Sequence, residues 1–531
     1  MMYRRFVSCL LGVGCLFAVV GVTPVLASVP VWHVTSMLAP ARIAPGGSGQ
    51  LIVTVTNLGD APVEASSAEP IRLGVELPTG VTVSEMAEDA PQSEFGFPRA
   101  SAILSCEPAA LTCETESGTV PSYGSVMVTL RVSVPANAGA GLTAKLSVSG
   151  GRASPVSVRE PFRVGSGPVG FGVERLEVMP LNEDGSVATQ AGSHPFQYTT
   201  TFSLNEELLG RGEPVFRQEG PAPPALPKEV RFNLPPGVVG NPTAIPQCTI
   251  HQFQTIDPST SLTECPADTA IGVAAVDLSN ALAADRKLGR QPFRLTVPLY
   301  NLTPSVGEPA RFGFLIPASV TSEVPVILDT AVRTGGDYGV VVSAHNISQN
   351  VSFLGSQVSF WGVPGDPRHD SARGVCVFFA DCAESAHSPQ TPLLTLPTSC
   401  AGLSSPLTTI VEAASWAAPS LFTAASEGEY RLSDALGDPL ALDGCNRLRF
   451  DPSISVAPDG HAASTPTGLN VAIHVPQQDA LNPTGLSQAN LRDITVALPP
   501  GVAVNPAGSD GLQACSEGLS GFAGLSGALN P

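Results

Sequence analysis

Basic charge, aromatic rings and long apolar runs are all scarce in this chain. Only three lysines (Lys145, Lys228 and Lys287) accompany 24 arginines, against 46 acidic residues, and the formal net charge is −19. Recognition of phosphate needs clustered cations, so this balance excludes nucleic acid as a partner. Past the first 27 residues no apolar run approaches the roughly 18 residues that a spanning helix requires, so no transmembrane span is expected in the mature chain. There is no Gly-x-Ser-x-Gly elbow, no His-Glu-x-x-His, no phosphate loop and no dinucleotide fingerprint. The sequence therefore points to no catalytic residue, no cofactor and no resident metal.

Glycine and proline are abundant instead, at 52 and 51 residues. They punctuate short stretches in which apolar and polar residues alternate. The most telling is Leu234-Pro235-Pro236-Gly237-Val238, which runs through Asn241-Pro242 to Cys248. It returns as Leu498-Pro499-Pro500-Gly501-Val502, running through Asn505-Pro506 to Cys515, and more loosely as Leu77-Pro78-Thr79-Gly80-Val81. Each follows an alternating run: Val230, Phe232, Leu234; Ile494, Val496, Leu498; and Ile71, Leu73, Val75, Leu77. Period two with polar residues such as Arg72, Glu76, Arg231 and Asn233 between predicts a strand with one wet face. Proline then removes a ladder donor and glycine supplies a turn, so each strand must stop there. The fold class expected is all-β, with several immunoglobulin-like or related β-sandwich domains in tandem.

Residues 1–27 read as a secretory signal: Arg4 and Arg5, an apolar core from Leu10 to Val22, and a small-residue site at Val25-Leu26-Ala27. Nine cysteines follow it. In an exported chain these read as disulfides, and proximity pairs Cys106 with Cys113, Cys248 with Cys265, Cys376 with Cys382 and Cys400 with Cys445. Exchange among the last four stays open. Cys515 is left over, and a chain that ends 16 residues later reads as cut within a repeat.

From Val34 to about Pro161 the pattern predicts some seven short strands, the signature of an immunoglobulin-like sandwich. The residues "APGGSGQLIVTVTNLGDAPV", "LGVELPTGVTVS", the Cys106/Cys113 pair and "YGSVMVTLRVSVPANAG" resemble the bacterial conserved-repeat surface domain, catalogued as domain of unknown function eleven. The resemblance implies an extracellular sandwich without catalytic residues. Tyr123 stands where that family often has a small residue. From Gly170 onward, the LPPG…NP…C phrasing and the Glu264-Cys265-Pro266-Ala267-Asp268 segment resemble uncharacterised secreted repeat proteins of high-GC Gram-positive (actinobacterial) bacteria, which lend no established activity. The two LPPGV copies lie 264 residues apart, which suits duplication of a whole domain. The expected map is a signal peptide at 1–27, an Ig-like conserved-repeat domain at 28–164, a large disulfide-bearing β-sandwich domain at 165–449, and an incomplete second copy at 450–531. Leu278 to Leu288 is the one short helix expected in the middle region.

Four constellations invite chemistry. Asp366, Arg368, His369 and Asp370, with His387, have the side chains for acid/base work, but their setting reads as a solvated Pro-rich loop. Cys376, Cys382, His387 and Cys400 offer four zinc-type ligands, but without zinc spacing they read as disulfides. Asn182-Glu183-Asp184-Gly185-Ser186 begins like a calcium loop, yet Ser193 occupies the place of the bidentate glutamate, so a hairpin turn is expected. Trp32, Trp361 and Trp416 are scattered as core residues are, not gathered as a sugar platform. The functional expectation is a non-enzymatic secreted or cell-surface structural or adhesion protein with an extracellular partner (cell wall, polysaccharide or protein). A carbohydrate-binding accessory module is the alternative, and an extracellular hydrolase the remaining one.

Overall fold

The computed structural model describes residues 28–88, 100–209, 220–257, 262–285, 289–319, 322–334, 337–350, 352–379, 382–387, 390–400, 407–424, 430–431, 441–491, 493–498 and 500–503. The signal-like leader and Cys515 lie outside them. The protein is all-β. Among the described residues the one α-helix is Ile250–Gln254, opened by a capping box between Thr249 and Gln252.

The N-terminal sandwich packs two antiparallel sheets. One runs Trp32–Ala39, Ser48–Asn57, Ser125–Ser133, Thr82–Glu88; the other runs Ala153–Phe162, Leu142–Gly150, Ile71–Glu76, Thr112–Thr115, Ser105–Glu107. Alternate residues such as Leu51, Val53, Val55, Val128, Leu130 and Leu146 meet in the core between them. Ile71–Glu76 has the expected wet face, with Arg72 and Glu76 exposed. Ser48–Asn57 does not. After Ser48 its residues are buried on both faces, because Ile52, Thr54 and Thr56 look outward onto a second body.

That body is one large antiparallel sheet. Its order is Val173–Leu181, Gln197–Leu204, Ser352–Trp361, Ala270–Asp285, Gly289–Leu302, Arg311–Ser319, Ser322–Val332, Val340–Ala344, Pro227–Asn233, Thr408–Ser415, Ala418–Ala424, with Tyr430–Arg431 beside Thr408–Ser415. Strand twist accumulates until the first strand lies against Thr408–Ser415 near the other end, so the sheet forms a nearly closed barrel. The helix expected over Leu278–Leu288 is instead strand up to Asp285, and 286–288 lie outside the described residues. Alanine-rich composition favours helix only weakly, and ladder pairing with Gly289–Leu302 overrides it.

The three LPxG segments share a turn. Gly80, Gly237 and Gly501 have φ of +87°, +92° and +93°. In the first two the carbonyl of Pro78 or Pro235 accepts from the amide three residues on. This is a type II geometry, which requires left-handed backbone at its third residue and so favours glycine. The strands before the first two stop at Glu76 and Asn233. The alternating run before the third copy, Ile494 to Leu498, is not a strand; Ile494 and Val496 are exposed. Alternation alone makes no strand without a partner to hydrogen-bond. Just upstream, Ser453–Pro458 and Leu469–His474 pair with each other as a hairpin exposed on both faces.

Four disulfides join Cys106 to Cys113, Cys248 to Cys265, Cys376 to Cys382 and Cys400 to Cys445. These are the pairs that proximity suggests.

Candidate functional site

The barrel wall has two faces with opposite chemistry, and the strand Ser352–Trp361 shows both. Gln357 and Ser359 point outward toward the sandwich, and Val358 and Phe360 point inward. The outward face forms a seam of buried polar groups. Arg294 donates to both oxygens of Asp277 at 2.8 Å and to Thr56 Oγ1 of the sandwich at 3.1 Å. Gln357 Nε2 lies 2.9 Å from His33 Nδ1, and His33 Nε2 lies 3.2 Å from Glu177 Oε2. If Gln357 donates, His33 carries its proton on Nε2 and passes the chain on to Glu177. Arg175 bridges Glu177 and Glu160, and Arg163 meets Glu174 at 3.1 Å. Burial alone would raise the Glu177 carboxyl, but His33 and Arg175 outweigh it and hold it at about 2. Burial pushes Glu174 up to about 8 despite Arg163 and Arg175.

Tyr123 is the peg of this seam. It adopts left-handed backbone (φ +58°), is buried, and receives a hydrogen bond from Trp361 Nε1 at 2.9 Å. Its hydroxyl donates to Gln197 Oε1 at 2.8 Å, while Gln197 Nε2 donates to the Leu58 carbonyl at 2.7 Å. Leu58 and Tyr123 join Trp361, Tyr300 and Leu302 in one apolar cluster that crosses the boundary. Tyr123 thus reaches from the sandwich into the barrel body. Glu206 is fully buried, with neither carboxylate oxygen hydrogen-bonded. Burial, followed by Glu174, Asp277 and Glu207, holds it well above the ordinary range.

The catalytic-looking segment belongs to the same region, and it is not a solvated loop. Pro367–Ala372 is a 3-10 turn capped by Asp366. His369 is 2% exposed and stacks between Phe196 and Trp361, each ring centroid at 4.4 Å. Burial lowers its pKa well below the usual value, so it is a neutral aromatic filler. Arg373, fully buried, donates to Asp370 and to the carbonyls of Pro364 and Asp366. His387 is exposed. Of the proposed zinc-type ligands, Cys376, Cys382 and Cys400 are in disulfides. Asn182–Ser186 is a turn closed by the Asp184 side chain on Ser186, and its Glu183 pairs with Arg368. Trp32 and Trp361 are buried, and Trp416 donates to the Ile347 carbonyl.

The inward face is hollow. A cavity of about 210 Å³ lies between the walls, lined by Phe202, Phe232, Phe312, Phe353, Phe360 and aliphatic side chains of the strands between them. Aromatic pairs reach across it: Phe202 meets Phe232 edge-on at 5.2 Å, and Phe312 meets Phe360 at 5.1 Å. The turn segment Leu234, Val238, Gly240 and Pro242 covers one end, with Leu393 and Leu394. Native interiors rarely leave such space. Nothing in the alternating pattern announced this hollow, because it depends on how far the sheet curls.

Among the described residues no helix is long and apolar enough to cross a membrane, and no cluster has the makings of a metal site. No protein-family model matches the chain, and no curated protein does. Among solved structures, the C-terminal domain of the AgI/II polypeptide BspA of Streptococcus agalactiae is 8% identical, over 75% of this chain and 98% of that one, with a TM-score of 0.18. The collagen adhesin of S. aureus is 8% identical over 75% and 91%, with a TM-score of 0.15. A DUF4466 family protein of Parabacteroides merdae is 10% identical over 63% and 99%, with a TM-score of 0.13. At these TM-scores the likeness does not extend to a shared architecture.

Proposed function

We propose that this is an extracellular, non-enzymatic binding protein of the structural or adhesion type, in which the sandwich and the barrel act as one rigid unit. The observation that carries the reading is the seam: paired buried charges and the Tyr123 peg fix the orientation of two bodies that a flexible linker would leave free. Buried ion pairs contribute specificity of arrangement more than net stability, which is what a presenting scaffold needs. Four disulfides support an oxidising compartment. The non-enzymatic part of the reading is supported by His369, which is sealed between two rings and kept neutral.

The test is protease shaving of intact source cells, combined with thiol labelling of the released protein and solid-phase binding to cell-wall polysaccharide and to surface proteins. The expected result is release by protease, eight unlabelled cysteines in the four pairs, and saturable binding without turnover of the bound material. Protection from protease together with labelling of any of these eight cysteines would overturn the extracellular reading, and hydrolysis of the bound polymer the non-enzymatic one.

A further inference from the structure

The hollow has a length, a chemistry and an opening. Phe353 and Phe360 line it from one strand, brought to the same face by a bulge at Leu354, and so span roughly 20 Å at about 3.3 Å per residue. Across the barrel, Phe312 to Ile316 spans about 13 Å by the same measure. A volume of about 210 Å³ drawn out over such a length makes a narrow bore, not a round pocket. Among the described residues no charged side chain lines it. Its polar lining is a few hydroxyls, and that of Thr330 is already committed to the Ala310 carbonyl. Inward-facing Phe232, Val342, Val358 and Phe360 are only partly buried, so solvent reaches the bore, and Gly240 and Pro309 stand exposed at its rim. A cavity of about 150 Å³ with a similar lining is known to stay dry and take up benzene, so a larger apolar bore suits hydrocarbon.

We propose that the barrel binds one unbranched, uncharged hydrocarbon segment, a lipid acyl chain, lying lengthwise between the Ser352–Trp361 and Val340–Ala344 walls. A polar head, where present, stays outside at the Gly240–Pro309 rim, because the described lining offers no cation or buried donor array to receive it. This site is independent of the adhesion reading. It is assayed on purified protein, so its failure leaves the location and partner of the protein untouched.

The experiment titrates the full chain with the uncharged fluorophore N-phenyl-1-naphthylamine and then displaces it with 1-dodecanol or with dodecylphosphocholine below its micellar concentration. Saturable binding at one site per chain, displaced by 1-dodecanol, is expected. Val342→Phe and Val358→Phe, which fill the bore, should each weaken binding at least tenfold while retaining the β spectrum. Displacement by both competitors supports a head-bearing lipid, and displacement by the alcohol alone a free neutral chain. Two results overturn the proposal. One is no saturable binding by the native protein. The other is undiminished binding in whichever filled variant folds, with loss in Val471→Asn on the exposed C-terminal hairpin.

Discussion

The outer and inner faces of the barrel wall are built from the same strands, yet they are packed by opposite rules. On the outer face polar side chains are numerous and almost all satisfied: Arg294 serves Asp277 and Thr56, and Gln357 serves His33 and Thr201. On the inner face the side chains are apolar and the space between them is incompletely filled. A hydrogen-bonded polar seam holds a fixed geometry, because each bonded member loses a partner when it moves. A hollow apolar interior costs stability and leaves room for a guest. The protein therefore places its polar network where two bodies join and its open apolar space inside the barrel.

The comparison can be broken most severely at Arg294. Arg294→Met leaves Asp277 charged, buried and unpaired, and should cost about 3–5 kcal/mol in denaturant unfolding; adding Asp277→Leu should restore much of that loss. An equal loss in the double variant would mean that the pair is not a unit. Next in size is Tyr123→Phe, which keeps the ring and removes the hydroxyl shared by Trp361 and Gln197. Thermal unfolding should report a loss of about 1–3 kcal/mol, whereas a neutral result would remove the peg from the account.

An unsatisfied member of the seam sharpens the contrast in the other direction. The Glu174 carboxyl is raised from 4.5 to about 8 and that of Glu206 well above 4.5, so from pH 4.5 up to those raised values the folded protein binds more protons than the unfolded one. Stability from these two groups therefore falls as the pH rises through that window. Glu177, held at about 2, acts oppositely: its contribution is present above 4.5 and is lost as the pH falls toward 2. Glu206→Gln, which cannot ionise, should flatten the decline of melting temperature with rising pH in a pH series. Unchanged pH dependence would show that Glu206 is solvated or paired. The smallest effect is expected at the end of the hollow. Gly237→Ala forces a left-handed alanine 3.1 Å from Pro397 and should cost about 1–2 kcal/mol in the same melts.

What the sequence makes legible is local. The Ile71–Glu76 and Pro227–Asn233 strands, their stop at a proline and the left-handed glycine follow from a few adjacent residues. Three of the four cysteine pairs lie within 17 residues of one another. Thr249 and Gln252 carried a readable capping-box signal that the pattern of strands hides. The seam was not legible. Thr54, Thr56, Gln357 and Arg294 look like wet-face residues, and their burial depends on partners such as Thr56 and Arg294, which are 238 residues apart. The Asp366–Asp370 segment misleads for the same reason, since it is covered by Phe196 and Trp361 from other strands. The alanines before Asp285 and the run at Ile494 to Leu498 show the converse: a strand exists where a neighbouring strand pairs with it, whatever its own residues prefer.

Xenon under pressure, located by crystallography of the full chain, tests the contrast most directly, since it enters dry apolar space and ignores packed or polar regions. The account predicts xenon inside the barrel, against Phe232, Val342 and Val358, and none along the seam between Tyr123 and Arg294. A barrel that takes up no xenon would contradict it.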